Sequence, residues 1–455
     1  MTRVAVVGAG PAGIRAAEAL HAAGVAPVLI DEGRQAGGQG YRAPAPGIAL
    51  DMHALMGSQA GRYEALHAAF ADLRGRIDHR PGTLVWAIED GVLHVATQGR
   101  ADTLAFDALI LATGAMDRVA PVRGWTLPGV FTLGGAQVAL KEQGCLVGRR
   151  VAFCGSSPLL ALAALQYHAM GAQVVGVCDT TSLGEKVRAA PRLAASPGTL
   201  ARGLSYLARL KRAGVPLLFG VAPETIEGGS RVEALVVRDA AGRRIRLACD
   251  AVALGHGLKP ETQLAELAGA TFDFDPARRL WLPRIDADGR AGPGLYLAGD
   301  GAAIGGADAA EASGELAALA ALADLGRPVD VRRMAALRRR VRRLRTFQMG
   351  LARAFAWPAR SVADMGDDVT VCRCENIDAG EIREAARGGL VPGEVNRVKA
   401  ITRCGMGRCQ GRVCGSALQE IVAAEAGVTV EAAGRLRGQA PVKPVMLSIA
   451  ETDAP

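Results

Sequence analysis

The apolar pattern opens with an unbroken run, Val4 to Val7, then a glycine turn, then apolar positions at helical spacing in PAGIRAAEALHAAG, then a second run in VAPVLIDE. A continuous apolar run bounded by turn residues is a strand buried on both faces, so residues 3 to 31 predict a βαβ unit. Residues 149 to 179 repeat the plan as RRVAFCGSS, PLLALAALQYHAMGA and QVVGVCD. Two copies about 145 residues apart predict two nucleotide-type α/β domains, units far larger than a solenoid repeat. DALILATGA from residue 107 and GLYLAGDGAA from residue 294 add two strands with glycine ends. TLVWAIEDGVLHVAT and VEALVVRDAAGRRIRLACDAVALG predict small meanders. Beyond residue 325 the period changes: Leu337, Val341, Leu344, Phe347, Leu351 and Phe355 recur every three or four positions, which predicts one amphipathic helix ended by Trp357 and Pro358.

Half of the 455 residues are apolar and mean hydropathy is +0.18, enough for several buried cores and too much for a broadly disordered chain. The net charge of +8 suggests nucleic acid or an anionic surface until it is located. RRMAALRRRVRRLR, Arg332 to Arg345, carries eight arginines and no acid, which accounts for the whole excess. No aromatic residues interleave with these arginines to stack on bases, so nucleic acid is not the expected partner; the helix is a solvated connector or a docking face for an acidic subunit. No apolar run reaches 18 residues, so membrane insertion is not expected, and MTRVAVVGAGPAG reads as a cofactor turn rather than a secretion signal. A cytoplasmic protein is expected.

Gly8, Gly10 and Gly13 stand between the first strand and helix, where they allow a tight turn, close approach to a pyrophosphate and close helix packing. Asp31, 18 positions after Gly13 at the end of the second strand, is placed to accept from a ribose hydroxyl. The second copy departs from this pattern. It reads Gly155-Ser156-Ser157-Pro158-Leu159-Leu160, losing the second and third glycines but keeping an acid at Asp179. A nicotinamide cofactor, another adenine nucleotide at residues 155–179 and a retained scaffold all stay open there.

GRQAGGQGYR (Gly33 to Arg42), the strand ending Ala112-Thr113-Gly114 and the strand ending Ala298-Gly299-Asp300 together resemble the two-dinucleotide-binding-domain flavoproteins over about residues 1 to 325. The resemblance implies an α/β, Rossmann-like fold that binds FAD, with Gly38, Gln39 and Gly114 near the flavin and Asp300 at its ribityl and phosphate region. As an acid before a helix, Asp300 also suits an N-cap. Disulfide reductases of this fold need paired cysteines beside the flavin. Cys145, Cys154, Cys178 and Cys249 have no such partner and are read as small buried residues. His168 and His256 are read as packing residues.

The remaining five cysteines crowd into VCRCEN and TRCGMGRCQGRVCG: Cys372, Cys374, Cys404, Cys409 and Cys414. Four thiolates suit a [2Fe-2S] cluster or a zinc ion, and the tight Cys-x-Cys pair argues against the commoner zinc knuckle. A cluster with four thiolates carries a net charge of about −2, and Lys399, Arg403, Arg408 and Arg412 are near in sequence to offset it. A module of about 60 residues also needs a metal core. CxC followed by GMGxCQGRxC resembles the bacterioferritin-associated-ferredoxin-like (BFD-like) [2Fe-2S] domain, which implies Cys372, Cys374, Cys409 and Cys414 as ligands and Cys404 as an extra thiol. A register using Cys404 with Cys409 remains open.

ATGAMDRVAPVRGWTLPGVFTLGGAQVALK (Ala112 to Lys141) and GHGLKPETQLAELAGA (Gly255 to Ala270) resemble the α subunits of heteromeric amino-acid and opine dehydrogenases, a family that includes opine oxidase A, hydroxyproline and proline dehydrogenase α and hydrogen cyanide synthase B subunits. The resemblance implies a partner β subunit of the D-amino-acid-oxidase flavoprotein type that oxidises a C–N bond, sometimes joined by a small ferredoxin-like subunit. The α subunit then passes electrons onward through FAD and [2Fe-2S]. The alternatives are a stand-alone NAD(P)H-dependent reductase and a scaffold that has lost its cofactors. No residue stands out as a general base. The expected domains are an FAD-binding domain (1–115 and 285–325), a degenerate nucleotide domain (116–284), an arginine-rich helical linker (326–367), a BFD-like domain (368–428) and a tail (429–455).

Overall fold

Val4–Val7, buried at all four positions, pairs in parallel with Val28–Ile30 on one side and Ala108–Leu111 on the other. The computed structural model describes residues 2–388 and 393–446 of the chain. Its first sheet runs in the order Arg290–Gly292, Leu295–Leu297, Ala108–Leu111, Val4–Val7, Val28–Ile30, Asp78–Arg80, antiparallel only at the Arg290–Gly292 edge. The chain therefore leaves this sheet after Leu111 and returns to complete it at Leu295. Pro11–Ala22, with Pro11 in its first turn where a missing N–H costs nothing, packs against Ala307–Asp324. The two helices approach at Gly314, where a Cβ would fall 2.0 Å from the Ala12 carbonyl oxygen.

The intervening residues build a second, wholly parallel sheet in the order Leu217–Phe219, Gln173–Asp179, Arg150–Gly155, Ala251–Gly255, Val130–Thr132. Two three-stranded antiparallel meanders, at 83–105 and 222–248, flank the sheets. This is the α/β, doubly nucleotide-type fold that the repeated pattern predicts.

The helix Val331–Ala354 is capped by Asp330, whose Oδ1 accepts from the amides of Arg332 and Arg333 at 2.9 and 3.0 Å. Met334, Leu337, Val341, Leu344 and Phe347 are buried along helices Ala307–Asp324 and Leu183–Leu193. Arg333 pairs with Glu315 at 2.5 Å and Arg338 with Asp288, while Arg339, Arg340, Arg342 and Arg343 are exposed.

Beyond it, Thr370–Cys372 pairs with Ile377–Asp378, and Asp378 and Glu381 form a capping box that starts Ala379–Arg387. Helices Val395–Thr402, Gly415–Ala426 and Val430–Ala433 follow. The small module shares its apolar core with the second sheet's domain: Val371, Ile382, Leu418 and Ile421 pack in one cluster with Val119, Val122 and Trp125. After it the chain turns back to the first domain, where the Val442 amide donates to the Trp86 carbonyl at 2.9 Å and Lys443 pairs with Glu32. Residues 447–455 of the expected tail lie outside the described residues. Among the described residues no helix is long and apolar enough to cross a membrane.

Candidate functional site

The carboxyl edge of the first sheet gathers four backbone turns with almost no side chain between them. Gly8 has φ +107, and a Cβ there would lie 2.3 Å from the Ala112 carbonyl oxygen. Gly13 has no room either, because its Cβ would meet the Gly8 carbonyl oxygen at 1.7 Å. Gly10 faces Gly38 across the turn, its nearest neighbour in a Cβ direction being the Gly38 Cα at 3.6 Å. Gly301 adjoins Thr113, where a Cβ would be 2.6 Å from Oγ1. A glycine-lined crevice above a helix N-terminus is a cradle for a dinucleotide pyrophosphate, so the residues fit the expected FAD.

Asp31 sits beside this cradle, partly buried. Its Oδ2 accepts from the Ala9 amide and its Oδ1 from the Gly33 amide at 2.6 Å. Burial pushes its carboxyl up, against the pull of those amides. The carboxylate thus fixes the turn as well as offering remaining lone pairs to a hydroxyl. Asp300 spends Oδ1 on the amides of Gly305 and Gly306, at 2.7 and 3.0 Å, and Oδ2 has no partner among the described residues. Gln39 is exposed and makes no hydrogen bond among the described residues, and Gly114, between the strands Ala108–Leu111 and Ala115–Asp117, has φ +73.

The second turn is occupied by the chain itself. Asp179 forms a 2.7 Å ion pair with Lys186, accepts from the Thr181 amide at 2.8 Å and is buried. The Lys186 ammonium also donates to the Ala354 carbonyl at 3.0 Å and lies 3.7 Å from the Phe355 ring centre. At the neighbouring strand end His256 meets the Trp357 ring edge-on, and the Arg118 guanidinium stacks on Trp357 at 3.7 Å. Ser157 accepts from the Leu159 amide at 3.2 Å, a helix-start role.

His256 is buried, as a packing histidine should be, and burial beside Arg118 pushes it down to about 4. An unfolded imidazole titrates near 6.5, so the folded state binds fewer protons between those values and loses stability as pH falls through them. Lowering pH from 7 to 5 is expected to cost roughly 2 kcal/mol from this group, and His256→Gln should flatten that part of a pH series of urea melts. Two sequence expectations fail nearby. His168 is exposed, on the solvent side of its helix, and Cys145 is exposed in the turn after Leu133–Lys141. Cys154, Cys178 and Cys249 are buried.

In the C-terminal module the sulfur atoms of Cys372, Cys404 and Cys414 lie within 4.8 Å of one another. Cys409 adjoins Cys414, and Cys374 adjoins Cys409, so all five thiols form one contiguous group. Neighbouring thiols donating to Cys372 and Cys409 hold both down, Cys409 to about 5; Cys404 and Cys414 are pushed up. Backbone amides also donate to sulfur: Gly405 and Glu375 to Cys372, Cys409 to Cys374, Val413 and Gly411 to Cys409. A soft thiol set, buried at Cys372, Cys404 and Cys414 and opening outward at Cys374, with amide donors to sulfur, fits an iron–sulfur cluster.

Both regions meet at residues 258–263. Leu258–Pro260 pairs antiparallel with Ala115–Asp117, the short strand that follows Gly114. Thr113 Oγ1 donates to the Glu261 carbonyl at 2.6 Å and the Glu261 amide to the Gly114 carbonyl at 3.0 Å. On the cysteine side, Arg412 donates to Glu261 through Nε at 2.5 Å and Nη2 at 3.2 Å, and Gln263 donates to the Gln410 carbonyl at 2.7 Å. Arg412 in turn donates its backbone amide to the Cys409 carbonyl at 3.0 Å. Sequence reasoning missed this junction, because Glu261 and Arg412 are 151 positions apart.

Residues 2–317 match the pyridine nucleotide-disulphide oxidoreductase family and residues 370–424 the BFD-like [2Fe-2S] binding domain. The chain is 37% identical over 461 residues to the A subunit of opine oxidase from Agrobacterium tumefaciens, an alignment covering 97% of this chain and 90% of that protein. The chain belongs to the branch of that family formed by the opine oxidase A subunits. Hydrogen cyanide synthase subunit HcnB of Pseudomonas protegens is 32% identical, with 90% of this chain and 89% of that one covered. A solved structure of L-proline dehydrogenase from P. horikoshii superposes with a TM-score of 0.71 at 20% identity, over 98% of this chain and 79% of that one, which shows a shared fold. As a member of this branch the chain is a flavin and [2Fe-2S] oxidoreductase subunit that binds FAD and an iron–sulfur cluster.

Proposed function

We propose that this subunit receives electrons from a partner that oxidises the C–N bond of an amino, imino or opine acid, and relays them through FAD and [2Fe-2S]. The partner in this reading is a flavoprotein of the D-amino-acid-oxidase type, in some assemblies of this kind joined by a small ferredoxin-like subunit. The observation that carries it is the junction of Thr113, Gly114, Glu261 and Arg412, which ties the flavin-side strand end to the cysteine loop by hydrogen bonds. When bound, FAD supplies two-electron chemistry and the cluster one-electron chemistry.

The chain's own residues bind and orient. Gly8, Gly10 and Gly13 would admit the pyrophosphate, Asp31 would take the ribose hydroxyls, Gly38, Gln39 and Gly114 would lie near the flavin, and Asp300 would serve its ribityl and phosphate region. Cys372, Cys374, Cys409 and Cys414 would ligate iron in this reading, with backbone amides donating to three of their sulfurs.

The competing reading, a stand-alone NAD(P)H-dependent reductase, needs the second turn. A ribose arriving at Asp179 has to displace Lys186 from an ion pair covered by Phe355, and Ser157 and Leu160 stand at the two positions where the pattern wants glycine. This favours the relay. Mixing the purified chain with NADH or NADPH in a stopped-flow absorbance experiment should leave the flavin oxidised, and co-purification from the native source should bring an oxidase-like flavoprotein. Prompt flavin bleaching by either nucleotide alone overturns the relay reading. An acid identified by screening the reconstituted pair would name the substrate.

A further inference from the structure

Three of the four cations that lie near the thiols in sequence are paired with a carboxylate or exposed. Arg403 is paired with Glu375 at 2.9 Å, Arg412 with Glu261 at 2.5 Å, and Arg408 is exposed. Lys399 is buried on the Val395–Thr402 helix. A fifth cation comes from far away in the chain. Lys259 is the middle residue of Leu258–Pro260, opposite Met116 in the two-stranded ribbon that continues the flavin-side strand. Its Nζ lies 4.0 Å from where a Cβ on Gly415 would sit, and Gly415 follows Cys414. Its nearest acid, Glu261, is engaged by both arms of Arg412, and among the described residues Lys259 has no hydrogen-bond acceptor and no carboxylate at ion-pair distance.

A half-buried ammonium without a counter-charge is costly, and four thiolates around two irons are the counter-charge that this place offers. Each electron accepted adds one negative charge to such a cluster. A fixed cation at close range stabilises the reduced form more than the oxidised one and so raises the potential.

We propose that Lys259 is the resident counter-ion of the [2Fe-2S] cluster, a positioning residue that raises the cluster's reduction potential and so draws electrons from the flavin side toward it. This rests on the relay reading and the ligand set above. Because Lys259 stands on the ribbon that leaves Gly114, one element carries both the link to the flavin region and the charge that gives the link its direction.

The test is a potentiometric titration of the full chain with both cofactors bound, without partner or substrate, following the EPR signal of the reduced cluster in wild type, Lys259→Gln and Lys259→Arg. Lys259→Gln should lower the midpoint by on the order of tenfold in the one-electron equilibrium constant, about 59 mV, and Lys259→Arg should recover most of that. An unchanged midpoint in Lys259→Gln at wild-type iron content overturns the proposal while leaving the relay intact. If Lys259→Gln loses its cluster, retention of the cluster in Lys259→Arg supports the need for the charge, and loss in both overturns it. A wild-type chain without a cluster signal would instead remove the ligand reading on which the proposal stands. Reading potentials on the isolated chain keeps that failure apart from failure of the partner reading.

Discussion

Cys409→Ser is expected to strip iron and acid-labile sulfide from the chain, abolish the visible iron–sulfur absorbance and leave the FAD in place. Cys409 adjoins both Cys374 and Cys414, and the amides of Val413 and Gly411 donate to its sulfur, so it joins the two halves of the thiol group. A hydroxyl at that position is a poor ligand for ferric iron beside three thiolates, and a module this small loses its main cross-link with the cluster. The module should therefore also melt earlier than the flavoprotein core and become a separate transition in calorimetry. Cys404→Ala is the matched control. Cys404 is buried against Cys372 and Cys414, so its truncation leaves a void of one sulfur atom and costs about 1 kcal/mol without loss of iron. Iron retained in Cys409→Ser and lost in Cys404→Ala would reassign the fourth ligand to Cys404.

What the amino-acid pattern made legible follows from how local the signal is. The first turn announces itself because Gly8, Gly10 and Gly13 stand within six residues between two strongly apolar segments, and each is needed by a neighbour at most a few residues or one strand away. The cysteine module is legible for the same reason, as close spacing on a short chain. Two things were not. The covering of the second nucleotide turn by Lys186, Phe355 and Trp357 depends on the end of the connector helix folding back onto Lys186, 168 positions before Ala354, and no period records such a contact. Lys259 was hidden by its surroundings in GHGLKP, where a lysine in a short loop-like segment reads as solvated, although the ribbon with Ala115–Asp117 carries it to the cysteine loop. The excess positive charge was easy to count and harder to interpret: Arg333 and Arg338 hold the connector helix to Glu315 and Asp288, so part of the basic face is structural.

Gly13→Ala and Gly10→Ala should separate the architecture of the first turn from its chemistry. At Gly13 the added Cβ would sit 1.7 Å from the Gly8 carbonyl oxygen, a backbone atom with no freedom to withdraw, because the Gly8 amide is itself bonded to the Ile30 carbonyl at 2.7 Å. The helix Pro11–Ala22 must then move off the strand, and with it the contact to Ala307–Asp324. The expected result is a loss of more than about 3 kcal/mol, seen as insoluble protein or a sharply lower melting temperature with no flavin bound. Gly10 differs in that its φ is −80, open to any residue, and its Cβ would meet only the Gly38 Cα at the ordinary contact distance of 3.6 Å. The flavin-free Gly10→Ala chain should stay within about 1 kcal/mol of wild type in a urea melt. Its methyl group, however, adds a side chain to the turn whose bare backbone the pattern sets against a pyrophosphate. FAD affinity, measured by quenching of flavin fluorescence on titration, should fall on the order of 100-fold, which is about 2.7 kcal/mol. A Gly10→Ala chain that binds FAD as tightly as wild type would mean that the pyrophosphate does not lie against Gly10, and the flavin's place would have to be drawn again from Asp31 and Asp300.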